Sequence, residues 1–309
     1  MHASIHTAAD WTPSVKRTAR AVRRRVLEYT LKNNGGYLSQ ACSAAEILAT
    51  LYLKILNIGP SEGPLIPRPF AGVPGRDNPH SFTGAEYNGP KSPELDRFIF
   101  SPVHYALVLY SVLIEVERLA PNALDQFNQD GSTMELIGAE HSPGHEVTAG
   151  SLGQAISQAG GIALARRLRG DGGRVWVFMS DGEFQEGQVW EALGSFAHHR
   201  IDNLAVVVDV NAQQCDGPML AVMNVEPLAD RLRAFGADAH VVNGHDPIAL
   251  ATAAEARTPG KPLVILAQTD PCRDIDLLKS RAPKLHYVRF KSDEERRAYE
   301  QVLAQMSAS

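Results

Sequence analysis

Residues 175–187 read Val-Trp-Val-Phe-Met-Ser-Asp-Gly-Glu-Phe-Gln-Glu-Gly, an apolar run that ends in a polar, glycine-containing turn. A second run of the same kind occupies residues 204–217, with the sequence Leu-Ala-Val-Val-Val-Asp-Val-Asn-Ala-Gln-Gln-Cys-Asp-Gly. Short apolar runs of this kind predict buried strands, and a helical pattern from about Glu186 to His198 lies between them. The two runs therefore predict one strand–helix–strand unit of a parallel sheet.

Outward from this unit, apolar runs and helical patterns continue to alternate. Further strands are predicted near 240–242 and 262–267, and helices near 15–31, 102–119, 151–168, 228–235 and 247–256. Continuous apolar strands that alternate with helices indicate a sheet that is buried on both faces. We therefore predict an α/β fold, a mostly parallel sheet with helices on both faces, in a single domain that spans residues 1–309.

The composition of the 309-residue chain is typical of a globular protein, with 44% hydrophobic and 21% charged residues. Its net charge of −5 offers no basic surplus for nucleic acid or an anionic membrane surface. No apolar run approaches the roughly 20 residues of a membrane helix, and the N-terminal stretch lacks the apolar core of a signal peptide. The three scattered cysteines fit neither a disulfide framework nor a zinc site. We therefore expect a cytoplasmic protein.

Three segments outside the alternating pattern carry local signals. Residues 59–93 are rich in proline and glycine, which predicts a long surface insertion. Because loops of this length are uncommon and often functional, the alternative to an ordinary surface loop is a lid or a subunit contact. Ser43 and Glu46 match the S-x-x-E capping box, which predicts a helix that begins at Ser43. A helical tail is expected over Asp293–Met306.

Oxygen-bearing side chains follow the two apolar strands. Asp181 comes directly after the first strand and Asn211 follows the second. Ligands of open α/β sheets bind beyond the carboxyl ends of the strands, so adjacent parallel strands would bring these two side chains together. Their oxygens suit Mg²⁺ or Ca²⁺ shared with a phosphorylated ligand, and Gly182 would let the backbone approach the phosphates. An ordinary turn would explain Asp181 and Gly182 alone, but not the matching Asn211.

The two turns resemble the thiamine diphosphate motif, which begins with Gly-Asp-Gly and has an Asn one strand–helix–strand unit later. Their surroundings resemble those of transketolases more than those of other thiamine enzymes. The resemblance rests on four ordered segments, which are 96–104 (Asp-Arg-Phe-Ile-Phe-Ser-Pro-Val-His), 142–155 (Ser-Pro-Gly-His-Glu-Val-Thr-Ala-Gly-Ser-Leu-Gly-Gln-Ala), 181–187 and 209–217. It implies the thiamine diphosphate-binding fold of the transketolase family.

The resemblance also implies which residues bind the cofactor and its metal. The cofactor-binding residues would be Gly150, Leu152, Ser180, Asp181, Gly182 and Asn211. Among them, Asp181 and Asn211, together with the backbone carbonyl of Gln213, match the residues that hold Mg²⁺ (or Ca²⁺) on the diphosphate. Ser180 stands where the motif has its first Gly, and its small side chain is compatible with cofactor binding.

Four catalytic residues follow from the resemblance. His104 and His145 match histidines that line the substrate and cofactor channel, and His286 matches a late histidine of the active site. Glu186 matches a glutamate of the proton network that links paired sites across the dimer interface. For Glu186 the alternative is a first-turn carboxylate that only stabilises the helix dipole.

Tyr37 departs from the family pattern, because it stands where transketolases have a histidine that helps to bind the sugar donor. Tyrosine is bulkier and far less basic than histidine. Residues 269–273 also differ from a glycine-rich loop of the family. These departures indicate a changed donor or acceptor, in central or specialised metabolism, and slightly favour the specialised version.

In transketolases, a glutamate of a second, pyrimidine-binding domain activates the aminopyrimidine ring of the cofactor, and no second α/β unit is predicted here. The resemblance therefore implies the N-terminal, diphosphate-binding subunit of a split, two-component transketolase. With a pyrimidine-domain partner, in an α2β2 heterotetramer, it would transfer a two-carbon ketol unit from a ketose or ketose phosphate, or a related keto donor, to an aldehyde. Alone it would be inactive.

Two other functions remain open at this point. An α subunit of a 2-oxo-acid dehydrogenase shares the Asp and Asn pair and also needs a partner. A binding or regulatory protein that has lost its chemistry is the third hypothesis.

Overall fold

The computed structural model describes residues 11–73 and 75–308. Its α-helices are α1 (Thr12–Lys32), α2 (Leu38–Thr50), α3 (Ala106–Glu115), α4 (Ala155–Arg169), α5 (Gly187–His198), α6 (Met219–Val222), α7 (Leu228–Ala234), α8 (Pro247–Ala254) and α9 (Asp293–Ala308). Its strands are β1 (Gly35–Gly36), β2 (Arg97–Phe100), β3 (Val175–Ser180), β4 (Leu204–Val210), β5 (Gln213–Gln214), β6 (Gly217–Pro218), β7 (Asp238–Asn243), β8 (Leu263–Gln268) and β9 (Val288–Arg289). Within these ranges, no helix has both the length and the apolar character needed to span a membrane.

The central sheet has five strands in the order β2-β3-β4-β8-β7, and every neighbouring pair is parallel. The predicted strand–helix–strand unit is present as β3, α5 and β4, with Ser180 opposite Asp209. Two antiparallel pairs, β1 with β9 and β5 with β6, lie outside this sheet. The predicted α/β fold with a mostly parallel sheet is confirmed.

Alternate side chains of each strand point to opposite faces of the sheet. Trp176 and Val207 share a core with apolar residues of α1, α2, α3, α8 and α9. Val177 and Val206 share the core of the other face with residues of α4, α5 and α7. Helices therefore cover both faces, which explains why the strands read as continuous apolar runs.

The prediction that a helix begins at Ser43 is wrong. Helix α2 begins at Leu38, and every one of its residues is buried. The Ser43 hydroxyl lies inside this helix and donates a hydrogen bond to Oδ2 of Asp209 at 2.6 Å. Glu46 accepts a hydrogen bond from Arg23 of α1 at 2.8 Å. Both side chains of the apparent capping box are thus used in long-range contacts, which a local pattern does not reveal.

Two other helices begin later than predicted. Residues Val103–Tyr105 form a 3-10 turn, so α3 starts at Ala106. Gly153 has a φ of +79°, which is incompatible with a right-handed helix, and α4 starts two residues later. The backbone N–H of Gly153 instead donates to Glu183 at 3.0 Å.

The insertion at 59–93 packs against the loop that precedes α4. Its only regular element among the described residues is a 3-10 turn, Gly84–Asn88. A Cβ atom at Gly84 would lie 1.7 Å from the carbonyl oxygen of Ser142, so glycine permits this close approach. The backbone N–H of Phe70 also donates to the carbonyl of Gly131 at 2.9 Å. The insertion is therefore anchored to the 131–142 loop. Whether it acts as a lid or a subunit contact stays a prediction.

Candidate active site

A cavity of about 480 Å³ opens at the carboxyl edge of the parallel sheet, where ligands of α/β sheets bind. Its walls come from the turns after β2, β3 and β4, from the loop that precedes α4, and from the segment that leads into β9. Its volume is typical of small-molecule sites. The predicted residues that line it are His104, Gly150, Leu152, Ser180, Asp181, Gly182, Glu186, Gln213 and His286.

Asp181 lies at the end of β3 with only 1% of its surface exposed. Its Oδ2 accepts a hydrogen bond from the backbone N–H of Ala212 at 2.7 Å, so the turns after β3 and β4 are in contact, as the parallel pairing predicts. Burial raises the pKa of Asp181 to about 8, and the negative charge of Asp209 adds to the effect. A bound cation would stabilise the ionised form of this buried carboxylate.

The turn after β4 positions Asn211 and Gln213. The backbone N–H of Gln213 donates to Oδ1 of Asn211 at 2.9 Å. Ala212 between them has a φ of +56°, a strained value for alanine of the kind found at functional turns. The side-chain Oε1 of Gln213 is buried and has no hydrogen-bond partner in the part of the chain that the structure describes.

Aromatic rings form one wall of the cavity. The ring centroid of Tyr37 lies 5.2 Å from that of His104 and 5.5 Å from that of His286. The two histidine rings lie 5.0 Å apart. Burial, and then the neighbouring His286, lower the pKa of His104 to about 3, and burial lowers the pKa of His286. Both histidines are therefore neutral at physiological pH and offer hydrogen bonds rather than charge.

Gln40 fixes the tautomer of His286. The Nε2 group of Gln40 donates to the carbonyl oxygen of His286 at 3.2 Å, which identifies it as the amide nitrogen. The same nitrogen lies 3.1 Å from Nδ1 of the ring. Since Nδ1 accepts this bond, the proton of the neutral ring is on Nε2. The pairing of Gly36 with Val288 holds this segment beside Tyr37.

His145 is not among the residues that line the cavity. It is fully buried, with its ring centroid 5.3 Å from that of Phe100 and 6.1 Å from that of Tyr110. Its Nδ1 lies 3.2 Å from the carbonyl oxygen of Pro143, and burial lowers its pKa to about 4. Its Nε2 is buried and has no hydrogen-bond partner among the described residues, and the catalytic role of His145 stays a prediction.

Glycine residues leave space along another part of the cavity wall. A Cβ atom at Gly182 would meet only Nε2 of Gln214, at 3.6 Å, and one at Gly150 would meet nothing within 4 Å. Leu152 and Glu186 also line the cavity and are exposed. The backbone at Gly182 is therefore open to a close approach by a ligand, whereas Leu152 and Glu186 offer contacts to whatever covers the mouth.

Sequence reasoning missed two buried carboxylates that organise the site. Glu183 accepts hydrogen bonds from the backbone N–H groups of Ser180 at 2.9 Å and of Gly153 at 3.0 Å, and it joins the β3 turn to the loop before α4. Asp209 accepts hydrogen bonds from residues of three other segments. A signal existed for both, because Ser180 and Glu183 match the capping box and Asp209 is a charged residue inside an apolar strand.

Comparison with known proteins establishes the family. Residues 81–271 match the family described as transketolase, thiamine diphosphate binding domain. The chain belongs to the transketolase family. A transketolase family protein of Sinorhizobium fredii is 33% identical over 91% of this chain and 92% of its own length. The 6-deoxy-6-sulfo-D-fructose transketolase subunit of a Clostridium species is 30% identical over 81% of this chain and 82% of its own length.

A solved transketolase has the same fold. The enzyme of Campylobacter jejuni superposes with a TM-score of 0.67 and 20% identity, over 96% of this chain and 47% of that chain. This chain therefore spans less than half the length of that transketolase. These relatives favour transketolase over the 2-oxo-acid dehydrogenase alternative. One is described as a transketolase family protein and the other as a transketolase subunit, and the match covers 92% and 82% of their own lengths.

The cavity fits the cofactor of the matched transketolase domain, thiamine diphosphate. A diphosphate needs a bound cation and a close approach to the backbone. Asp181 would hold the cation, and Gly182 leaves the backbone open in the same turn. The unpaired Oε1 of Gln213 leaves an acceptor for a further contact. The predicted donor set of Asp181, Asn211 and the Gln213 carbonyl would consist of hard oxygen atoms, which Mg²⁺ and Ca²⁺ prefer. Asn211 itself is buried and is not among the residues that line the cavity.

Proposed function

We propose that this chain is the diphosphate-binding subunit of a two-component transketolase. It binds thiamine diphosphate through Mg²⁺, or Ca²⁺, held by Asp181, Asn211 and the carbonyl of Gln213. The complete enzyme transfers a two-carbon ketol unit from a ketose, a ketose phosphate or a related keto donor to an aldehyde. The observation that carries the proposal is the parallel pairing of β3 and β4, which joins the Asp181 and Asn211 turns at the cavity.

When bound, thiamine diphosphate supplies the electron sink for breaking and forming the carbon–carbon bond. The chain's own residues bind and orient. Gly182 lets the backbone reach the phosphates, while Gly150 and Leu152 contact the rings. His104 and His286 are neutral and donate or accept hydrogen bonds at the hydroxyl and carbonyl oxygens of the substrate.

The aromatic wall supports a substrate different from that of ordinary transketolases. Tyr37 lies within ring contact of both His104 and His286, at the position where the resemblance places a histidine. Burial raises the pKa of Tyr37, so its phenol stays protonated and uncharged. The wall therefore offers neutral hydrogen-bonding groups and a bulkier ring, which favours a specialised sugar or keto substrate.

A partner subunit completes the enzyme in this proposal. One relative is itself described as a transketolase subunit, and this chain covers 47% of a solved transketolase. Around the cavity mouth, Ile137, Leu152 and Val222 are exposed apolar residues beside the exposed Glu186. We infer that a pyrimidine-binding domain of the partner docks on this rim. In the complete α2β2 assembly, which we place in the cytoplasm, this chain forms a single diphosphate-binding domain. Glu186 then joins a proton network that links the paired sites.

Calorimetry of cofactor binding tests the proposal. The chain is co-expressed with a pyrimidine-domain subunit, and thiamine diphosphate is titrated with and without Mg²⁺. We expect Mg²⁺-dependent binding that is lost in Asp181→Asn, because the amide removes the charged ligand while keeping its shape. Ketol transfer is then measured with a panel of ketose donors and aldehyde acceptors.

Asp216→Asn is the matched control, since Asp216 is an exposed carboxylate that lines the same cavity in the turn between β5 and β6. Near-normal binding by this variant would show that Asp181 acts as a specific ligand and not through net charge. If neither the complex nor the chain alone binds the cofactor, the proposal fails and the hypothesis of a binding protein that has lost its chemistry gains support.

A further inference from the structure

We propose that Tyr105 and Asp209 are positioning residues that fix the side-chain amide of Asn211, so that its oxygen is the atom presented to the bound cation. This inference rests on the proposed function, because it concerns how the chain prepares one of its cation ligands. Neither residue belongs to the predicted ligand set.

The contacts form a closed triangle. Nδ2 of Asn211 donates to the phenol oxygen of Tyr105 at 3.0 Å and to Oδ2 of Asp209 at 3.1 Å. The Tyr105 hydroxyl in turn donates to the same Oδ2 at 3.0 Å. Tyr105 is 1% exposed and Asp209 is completely buried, so water does not compete with these bonds.

Donor and acceptor chemistry decides which way the amide points. Oδ2 of Asp209 already accepts hydrogen bonds from Ser43 and Tyr105, and the Tyr105 hydroxyl has used its single proton on that oxygen. Both groups therefore require the NH₂ end of Asn211. Rotating the amide by 180° would place its oxygen against two acceptors and lose two buried hydrogen bonds. Oδ1 is thus left to face the Gln213 backbone and the cation.

The triangle is itself held by other parts of the fold. Ser43 of α2 donates to Oδ2 of Asp209 at 2.6 Å, and the Thr269 hydroxyl, just after β8, donates to Oδ1 at 2.5 Å. Tyr105 is held by the 3-10 turn after β2. The carboxylate therefore cannot turn away from Asn211, and the amide is oriented before any ligand arrives. Such preorganisation is what the partners of metal ligands commonly provide.

Tyr105→Phe tests the inference because it deletes one acceptor of the amide and keeps the ring. Mg²⁺ is titrated by calorimetry into the complex with its partner subunit at saturating thiamine diphosphate, and Mn²⁺ binding is followed by electron paramagnetic resonance. We expect Tyr105→Phe to weaken cation affinity by about 10- to 100-fold, with an altered Mn²⁺ spectrum. High Mg²⁺ should restore cofactor occupancy, which a misfolded variant would not allow.

Two matched controls separate positioning from a general structural effect. Tyr110→Phe removes the hydroxyl of another fully buried tyrosine. This hydroxyl donates to the backbone carbonyl of Glu135 at 3.2 Å and has no contact with Asn211. Tyr52→Phe removes a buried hydroxyl that donates to Oδ1 of Asn88 at 2.8 Å, a contact that involves neither Asp209 nor Asn211. Both should keep cation affinity within about twofold of the wild type, even where they lower the melting temperature.

The outcomes are distinguishable. The inference is overturned if Tyr105→Phe binds Mg²⁺ and Mn²⁺ like the wild type, or if the two controls weaken binding as much as it does. If the wild-type complex binds no cation with thiamine diphosphate, the proposed function fails and this inference fails with it.

Discussion

At the scale of single residues, Asp181 shows a conflict between stability and function. A carboxylate that is almost completely buried loses its hydration, and Asp209 adds a second negative charge, so the pKa of Asp181 rises to about 8 from the usual 3.8. The folded chain therefore binds a proton at Asp181 more tightly than the unfolded chain does. Sites that bind cations commonly carry this kind of cost when the cation is absent.

Asp181→Asn should accordingly stabilise the metal-free chain at high pH. The raised pKa means that stability is lost as the pH rises from about 4 towards 8, because only the unfolded state gives up its proton readily. The amide has no proton to lose, so we expect a gain of about 1–2 kcal/mol at pH 8 that shrinks towards pH 5. Thermal unfolding at both pH values checks this, and a gain of the same size at pH 5 would contradict it.

At the scale of elements, a buried ion pair joins α1 to α2. Arg23 is 1% exposed, and its guanidinium binds both carboxylate oxygens of Glu46. Nδ1 of His245 lies 3.0 Å from Oε2 of Glu46, and Arg23 also binds Asp274 at 2.9 Å. Burial alone would raise the pKa of Glu46, but hydrogen bonds with His245 and Arg23 lower it to about 2. The segment after β8 is thereby tied to the two N-terminal helices.

Glu46→Gln should destabilise the fold, because it leaves the buried Arg23 without its full counter-charge. We expect a loss of about 3 kcal/mol in the free energy of unfolding at pH 7, measured by chemical denaturation. Since the folded pKa of Glu46 is lowered from 4.5 to about 2, the difference should disappear as the pH falls through this window. Glu28→Gln, which alters an exposed pair with Arg24 at 3.8 Å, is the control and should change stability by less than about 0.5 kcal/mol.

At the scale of the whole molecule, the two ends of the sheet differ in what they present. The carboxyl edge carries the cavity with its exposed apolar rim and Glu186, whereas α8 ends at the amino edge with the exposed Glu255. A rim of this kind is typical of a surface that another protein covers. Our proposal places the partner subunit on the rim at the carboxyl edge. A charge reversal at this edge should therefore weaken assembly, whereas one at the amino edge should not.

Glu186→Arg should weaken assembly with the partner subunit by at least about tenfold, because it places a long cation at the cavity mouth. The exposed position of Glu186 means that the subunit should still fold, which circular dichroism would verify. Glu255→Arg makes the same chemical change at the amino edge and should assemble normally. Light scattering of the purified mixtures measures the result, and equal assembly of both variants would rule out docking at the rim.

The sequence by itself determined the parts of this protein that depend on short-range patterns. Apolar runs that alternate with helical patterns predicted the parallel sheet, because burial on both faces imposes that pattern on every strand. The contact between the turns that carry Asp181 and Asn211 could be predicted, since adjacent parallel strands end at the same edge. Most predicted site residues lie around the resulting cavity, among them His104, Glu186 and His286.

Only the tertiary structure decided the contacts between residues far apart in the chain. It assigned Ser43 to Asp209 instead of a helix start, and it buried His145 beside Phe100 and not in the lining of the cavity. It also brought Tyr105 to Asn211 across 106 positions of the sequence. Such contacts depend on how elements pack and on which buried polar groups satisfy one another, and no local pattern of residues records that choice.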